Sequence, residues 1–115
     1  MGLDITLTTK KHEIDFRKHN HIFRFVESRI DGEIENCKNY KLKKSEIEEL
    51  LNRVNTVLDD HSKAEELLPT QGGFFFGNTV YNDDYFEDLE YAKRELTAML
   101  ADWVGCEKAT FWAWW

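Results

Sequence analysis

The sequence predicts an α+β fold: three to four helices packed on a small sheet that includes the N- and C-terminal strands. Three observations predict it. Leu3, Ile5 and Leu7 alternate with Asp4, Thr6 and Thr8, the period of a strand with one buried face. The chain ends on a second alternation, in which Phe111, Ala113 and Trp115 are offset from Thr110, Trp112 and Trp114. Between these ends lie stretches with apolar residues three and four apart, the spacing of helices with one buried face.

In chain order, Leu3 to Thr8 reads as the first strand and Thr9 to Asp15 as a polar connection. Phe16 to Ile30 reads as a helix carrying Phe16, Ile22, Phe23, Val26 and Ile30, ended by Asp31-Gly32. Residues 33 to 44 read mainly as loop, with Tyr40 and Leu42 in a short edge strand. Ser45-Glu46-Ile47-Glu48 has the form of a capping box, in which Ser45 and Glu48 satisfy each other's backbone donors. Ile47, Leu50, Leu51, Val54, Val57 and Leu58 then follow at helical spacing to Asp60. Ser62 caps a further turn or two through Leu68, and Pro69 stops it.

Gly72-Gly73-Phe74-Phe75-Phe76-Gly77 is the one segment that is not routine. Its glycines free the backbone while its three rings demand burial, so it reads as an ordered connection pinned by its own side chains. Asn82, Asp83 and Asp84 then start a helix with acids in its first turn, where they complement the dipole. Phe86, Leu89, Ala92, Leu96, Met99 and Trp103 form its apolar face, Gly105 ends it, and Lys108 to Trp115 forms the last strand. No internal repeat or Pro/Gly/Ser-rich linker divides the chain, so residues 1–115 read as a single domain.

Composition narrows the function. The 115 residues carry a formal charge of −7, which disfavours direct nucleic-acid binding unless the bases gather on one face. Residues 1–44 hold ten Lys or Arg against seven acids, whereas 45–68 and 82–105 each hold seven acids against two bases. Acidic outer faces keep a domain soluble, and they also complement a basic groove on a partner, including one that normally holds nucleic acid. No run of apolar residues is long enough to span a bilayer, and no basic region with an apolar signal core opens the chain, so a cytoplasmic location is expected. Met1-Gly2-Leu3-Asp4-Ile5-Thr6 fits a myristoylation pattern that is common by chance. Cys37 and Cys106 read as free thiols.

No chemical motif stands out. His12, His19 and His21 lie in no metal-ligand spacing, His19 and His21 would point to different sides of a helix, and all read as solvated, so no metal and no cofactor is expected. The cysteines lie in no motif that activates a thiol, no nucleophile elbow is present, and Gly72 to Gly77 lacks the Lys-Ser or Lys-Thr of a phosphate loop. No catalytic residue is assigned. The carboxylates Asp83, Asp84, Glu87 and Asp88 read first as a solvated helix start, and Trp112, Trp114 and Trp115 as buried or half-buried strand residues.

Four stretches carry a resemblance. Arg17-Lys18-His19-Asn20-His21-Ile22, Ser62 to Gln71, Gly73-Phe74-Phe75-Phe76-Gly77 and Tyr85-Phe86-Glu87-Asp88-Leu89, after an opening Met-Gly-Leu-Asp, resemble a family of small uncharacterised proteins encoded by bacteriophages, prophages and mobile elements. The resemblance spans nearly the whole chain, and the aromatic ending Phe111 to Trp115 departs from it. It implies a bacterial cytoplasm and a phage accessory role. Inhibitors that occupy host defence proteins, CRISPR-Cas effectors among them, are one class of such accessories.

The expected function is therefore stoichiometric binding of a host or phage protein rather than catalysis. The expected contact is Phe75, one of three adjacent rings that cannot all point to the same side, rimmed by Asp83, Asp84 and Asp88. Two other readings stay open: a small enzyme with a site near residues 72–88, and a self-assembling phage component.

Overall fold

The structure, a computed structural model, describes residues 3–30, 32–70, 72, 80–105 and 107–115. Four strands, β1 (Asp4–Thr8), β2 (Glu13–Arg17), β3 (Asn39–Leu42) and β4 (Ala109–Trp114), form an antiparallel sheet in the order β2-β1-β4-β3. The helices among the described residues are α1 (Asn20–Glu27), α2 (Lys44–Asp59), α3 (Ala64–Leu67) and α4 (Asp83–Ala101), with a 3₁₀ turn at His61–Lys63. The two chain-end strands lie side by side at the centre of the sheet, with Ile5 opposite Ala113 and Leu7 opposite Phe111.

Alternation along each strand sorts the residues onto two faces. Leu3, Ile5, Leu7, Ile14, Phe16, Phe111 and Ala113 are buried on the face that carries the helices, where they meet Ile47, Leu50 and Val54 of α2 and Leu89, Leu96 and Met99 of α4. Helices α2 and α4 pack against each other. On the open face Trp112 lies opposite Thr6 and Asn39, and Trp114 opposite Asp4. Trp112 is half-buried, while Trp114 keeps 44% of its surface exposed.

Several boundaries differ from the sequence reading. Phe16 does not start a helix: it lies in β2, buried opposite Ile5, because Ile14 and Phe16 alternate with Glu13, Asp15 and Arg17 as on any one-sided strand. The polar connection therefore shrinks to Thr9–His12, whose ends are joined by the Thr9 N–H donating to the His12 carbonyl. Helix α1 begins only at Asn20 and ends at Glu27, with Gly32 beyond it in the left-handed region at φ 91°.

The capping box sits two residues earlier than Ser45-Glu48. The helix starts at Lys44, and the Glu46 carboxylate accepts from the Lys43 backbone N–H at 2.9 Å. Asp60, rather than Ser62, caps the following turn by accepting from the Ser62 N–H. Helix α4 ends at Ala101, short of Gly105, and Tyr85 is buried on its face while Phe86 and Trp103 are half-buried. Leu51 is likewise half-buried, the centre of α2 being Leu50 and Val54. The connection through Phe74, Phe75 and Phe76, and also Asp31 and Cys106, lie outside the described residues. Cys37 is exposed and free.

Candidate functional site

The β2–α1 junction is built around an unusual residue. Lys18 sits at φ 58°, a left-handed conformation that costs a non-glycine side chain energy, and its N–H donates to the Leu3 carbonyl at 2.7 Å. The bend turns the chain out of the sheet and into α1. His19 follows as the N-cap, with no side-chain cap of its own, so its ring is not committed to the helix and folds inward instead. This is why His19 and His21 do not diverge as two helical residues would: their ring centroids lie 5.4 Å apart. Both are buried, His19 to 5% and His21 to 2% exposure, which corrects the expectation of solvated histidines.

The opposite wall comes from the start of α4. Asn82 caps it by accepting from the Tyr85 N–H, and Asp84 and Asp88, four residues apart, project on one face. Leu68 and Thr70, just after α3, are tied to this wall by two tyrosines. The Tyr85 hydroxyl donates to the Leu68 carbonyl at 2.7 Å, and the Tyr81 hydroxyl accepts from the Thr70 N–H at 3.2 Å. Arg24 of α1 donates to the Thr70 carbonyl from the other side at 2.9 Å. A cavity of about 160 Å³ lies between the walls, lined by Lys18, Asn20, His21, Thr70, Val80, Asn82, Asp84, Tyr85 and Asp88.

The electrostatics of this pocket follow from hydrogen-bond accounting. A carbonyl only accepts, so the contact of 2.9 Å between His19 Nδ1 and the Arg17 carbonyl places a proton on Nδ1. In the neutral ring Nε2 then carries a lone pair, and it faces Asp88 Oδ1 at 3.7 Å. That separation lies within ion-pair range but is too long for a hydrogen bond. Burial lowers the pKa of His19, and the opposing charge of Asp88 only partly offsets it. Burial thus works against the charge on both partners, while the charge of Asp88 and the backbone carbonyls of Arg17 and Asp88 work to keep a proton on His19.

Desolvation raises the pKa of Asp88, with Asp84 and Glu87 adding to the rise and His19 opposing it. His21 is held well below the ordinary imidazole value by burial and by His19. Its Nε2, like that of His19, is buried with no hydrogen-bond partner among the described residues. Burial also pushes the Tyr85 phenol up, with Tyr81 contributing. Its hydroxyl hydrogen is already spent on Leu68.

Of the residues expected to bind a partner, Asp84 and Asp88 come together at this pocket. Asp83 is exposed on the first turn of α4 and does not line it, and Phe75 lies outside the described residues. His19, His21, Lys18 and Tyr85 were not singled out as site residues. Parts of three of the four stretches that carry the resemblance, Arg17 to Ile22, Ser62 to Gln71 and Tyr85 to Leu89, contribute to these walls, although they are far apart in sequence. Among the described residues, no three His, Cys, Asp or Glu side chains form a group that could hold a metal ion.

No protein family, no curated protein and no solved structure matches this chain.

Proposed function

We propose that the chain is a small accessory protein of the phage or mobile-element kind that acts by binding another protein stoichiometrically, through the rim formed by the start of α4. One observation carries the reading. Asp84 and Asp88 line the pocket, Asp83 and Glu87 lie on the same first turns of α4, and among the described residues none of the four is paired with a Lys or Arg. Uncompensated carboxylates around a recess suit a basic surface on a partner, where complementary charge speeds association and selects against wrong partners. Proteins that bind nucleic acid offer such surfaces, and a defence protein such as a CRISPR-Cas effector is the partner class that the resemblance implies. Phe75, outside the described residues, belongs to this proposal as the expected apolar anchor.

The experiment is capture of bacterial host proteins on the native chain and on an Asp84→Asn/Asp88→Asn double variant, followed by light scattering on the purified complex. A partner held in a fixed integer ratio by the native chain and lost by the variant supports the reading. A second reading is a small enzyme with its site in the 72–88 region, in which His19, buried 3.7 Å from the Asp88 carboxylate, would serve as the base. Turnover that disappears in His19→Gln would support that reading over binding.

A further inference from the structure

We propose that the pocket between α1 and α4 receives a primary ammonium or guanidinium group on an aliphatic stem, the side chain of a partner's lysine or arginine. The inference rests on the reading of the chain as a protein binder and names the chemistry that its rim selects. It begins from the acceptors. The carboxylates of Asp84 and Asp88 line the pocket, and His19, behind the lining, holds its Nε2 3.7 Å from Asp88 Oδ1. His21, which lines the pocket, has its Nε2 buried and unpartnered among the described residues. A buried polar atom left without a partner costs about 1–3 kcal/mol, and with the His21 hydrogen on Nδ1 an incoming N–H donor relieves that penalty.

Among the described residues no donor is paired with His21 Nε2. Tyr85 gives its hydroxyl hydrogen to Leu68. Lys18 lines the mouth, yet its ammonium comes within ion-pair distance of neither Asp84 nor Asp88. The left-handed backbone at Lys18 fixes the direction in which its side chain leaves. An ammonium or guanidinium brings several N–H donors and a positive charge that two carboxylates favour. The Tyr85 ring and Val80 line the same recess as apolar surface, which suits methylenes rather than a bare ion. An anion meets the opposite balance, with Asp84 and Asp88 both repelling it.

The test uses single-residue probes on the intact chain, read by the ring resonances of His19 and His21 in NMR titrations. N-acetyl-lysine methylamide and N-acetyl-arginine methylamide are compared with the norleucine analogue, acetate and inorganic phosphate. The lysine or arginine probe should shift both rings saturably, and the norleucine probe should leave them in place. Asp88→Asn should weaken the probe by about tenfold or more, and Asp84→Asn, at an exposed position, provides a second carboxylate variant should the first lose its fold. Lys18→Met supplies a test of sign: removing a like charge should tighten a cation by about twofold to threefold and would weaken an anion.

Equal shifts with norleucine, saturation by acetate or phosphate, or weaker cation binding in Lys18→Met would overturn the inference. Its failure is separable from that of the protein-binding reading. Probes that bind while a captured partner ignores Asp88→Asn uphold the pocket and remove the partner. A partner that needs the acids while the probes never bind does the reverse.

Discussion

Mild acid should weaken this protein before its carboxylates are protonated, and the reason lies in two histidines. The ordinary imidazole value is 6.5, and burial lowers both His19 and His21 below it, so the folded state disfavours a proton that the unfolded chain accepts. A group with a depressed folded pKa contributes stability above the unfolded value and loses it as pH falls toward the folded one. Between pH 7.5 and 5.5 an unfolded imidazole takes up almost a full proton, which is worth about 1.4 kcal/mol for each histidine that stays neutral in the fold.

His21 should contribute nearly all of that amount. His19 should contribute less, because Asp88 faces it and favours its charged form. The total loss should fall between about 1.4 and about 2.7 kcal/mol. The other groups around the pair are Tyr85 beside His21, Tyr91 beside His19, and Lys18, Asp84 and Asp88 at the pocket. Asp88 has a raised pKa, so its contribution runs the other way, with stability gained as pH falls through its folded value. Urea denaturation at pH 7.5, 6.5 and 5.5 measures the slope, with His21→Gln as the comparison. The variant should lose about 1.4 kcal/mol less than the native chain over that range, whatever its absolute stability. Equal slopes in the two proteins, or a native stability that is flat between pH 7.5 and 5.5, would refute the neutral buried state of His21.

Three further outcomes follow from the same structure. Leu96→Ala should cost roughly 2–5 kcal/mol in denaturation, since Leu96 is fully buried between α4 and the sheet, whereas Leu51→Ala at a half-buried position should cost distinctly less. Asn82→Ala should cost about 1 kcal/mol and should loosen the first turn of α4 in hydrogen exchange, because the Asn82 side chain accepts from the Tyr85 N–H. Phe75→Ala should weaken partner binding by about 2 kcal/mol or more with little change in melting temperature, and a fall in stability with binding untouched would remove Phe75 from the contact.

How much of this could be read from the sequence depends on the range of the forces involved. The terminal strands and α4 were legible because period-2 and period-3.6 patterns are local: Leu3, Ile5 and Leu7 are all buried, and so are Leu89, Leu96 and Met99. Strand β2 was missed although Ile14 and Phe16 alternate as cleanly as β1, because Phe16 lies seven residues before Phe23 and so was joined to the helical series of Ile22, Val26 and Ile30. The break lies at Lys18, whose left-handed backbone is imposed by a hydrogen bond to Leu3, and no propensity announces it. The caps slipped for a similar reason. Lys43 is a poor sequence signal for an N-cap, and the Glu46 carboxylate anchors the helix there instead.

The site was legible only in part. Asp84 and Asp88 could be named from their place at a helix start. His19 and His21 looked solvated because polar residues near a helix start usually are. Their burial depends on the pairing of β2 with β1 and on Tyr85 and Tyr91 arriving from the far end of the chain. The quoted stretch Arg17 to Ile22 was the one available pointer, and periodicity alone gave no reason to fold its rings inward.

The central claim is that a partner protein is engaged through the start of α4 and the β2–α1 junction. Amide hydrogen exchange on the chain, free and saturated with its captured partner, tests it most directly. The account predicts slowed exchange over residues 80–91 and 17–22, with the open sheet face of β4 and the outer face of α2 unchanged. Slowed exchange confined to β4 or α2, with residues 80–91 exchanging as in the free protein, would contradict it.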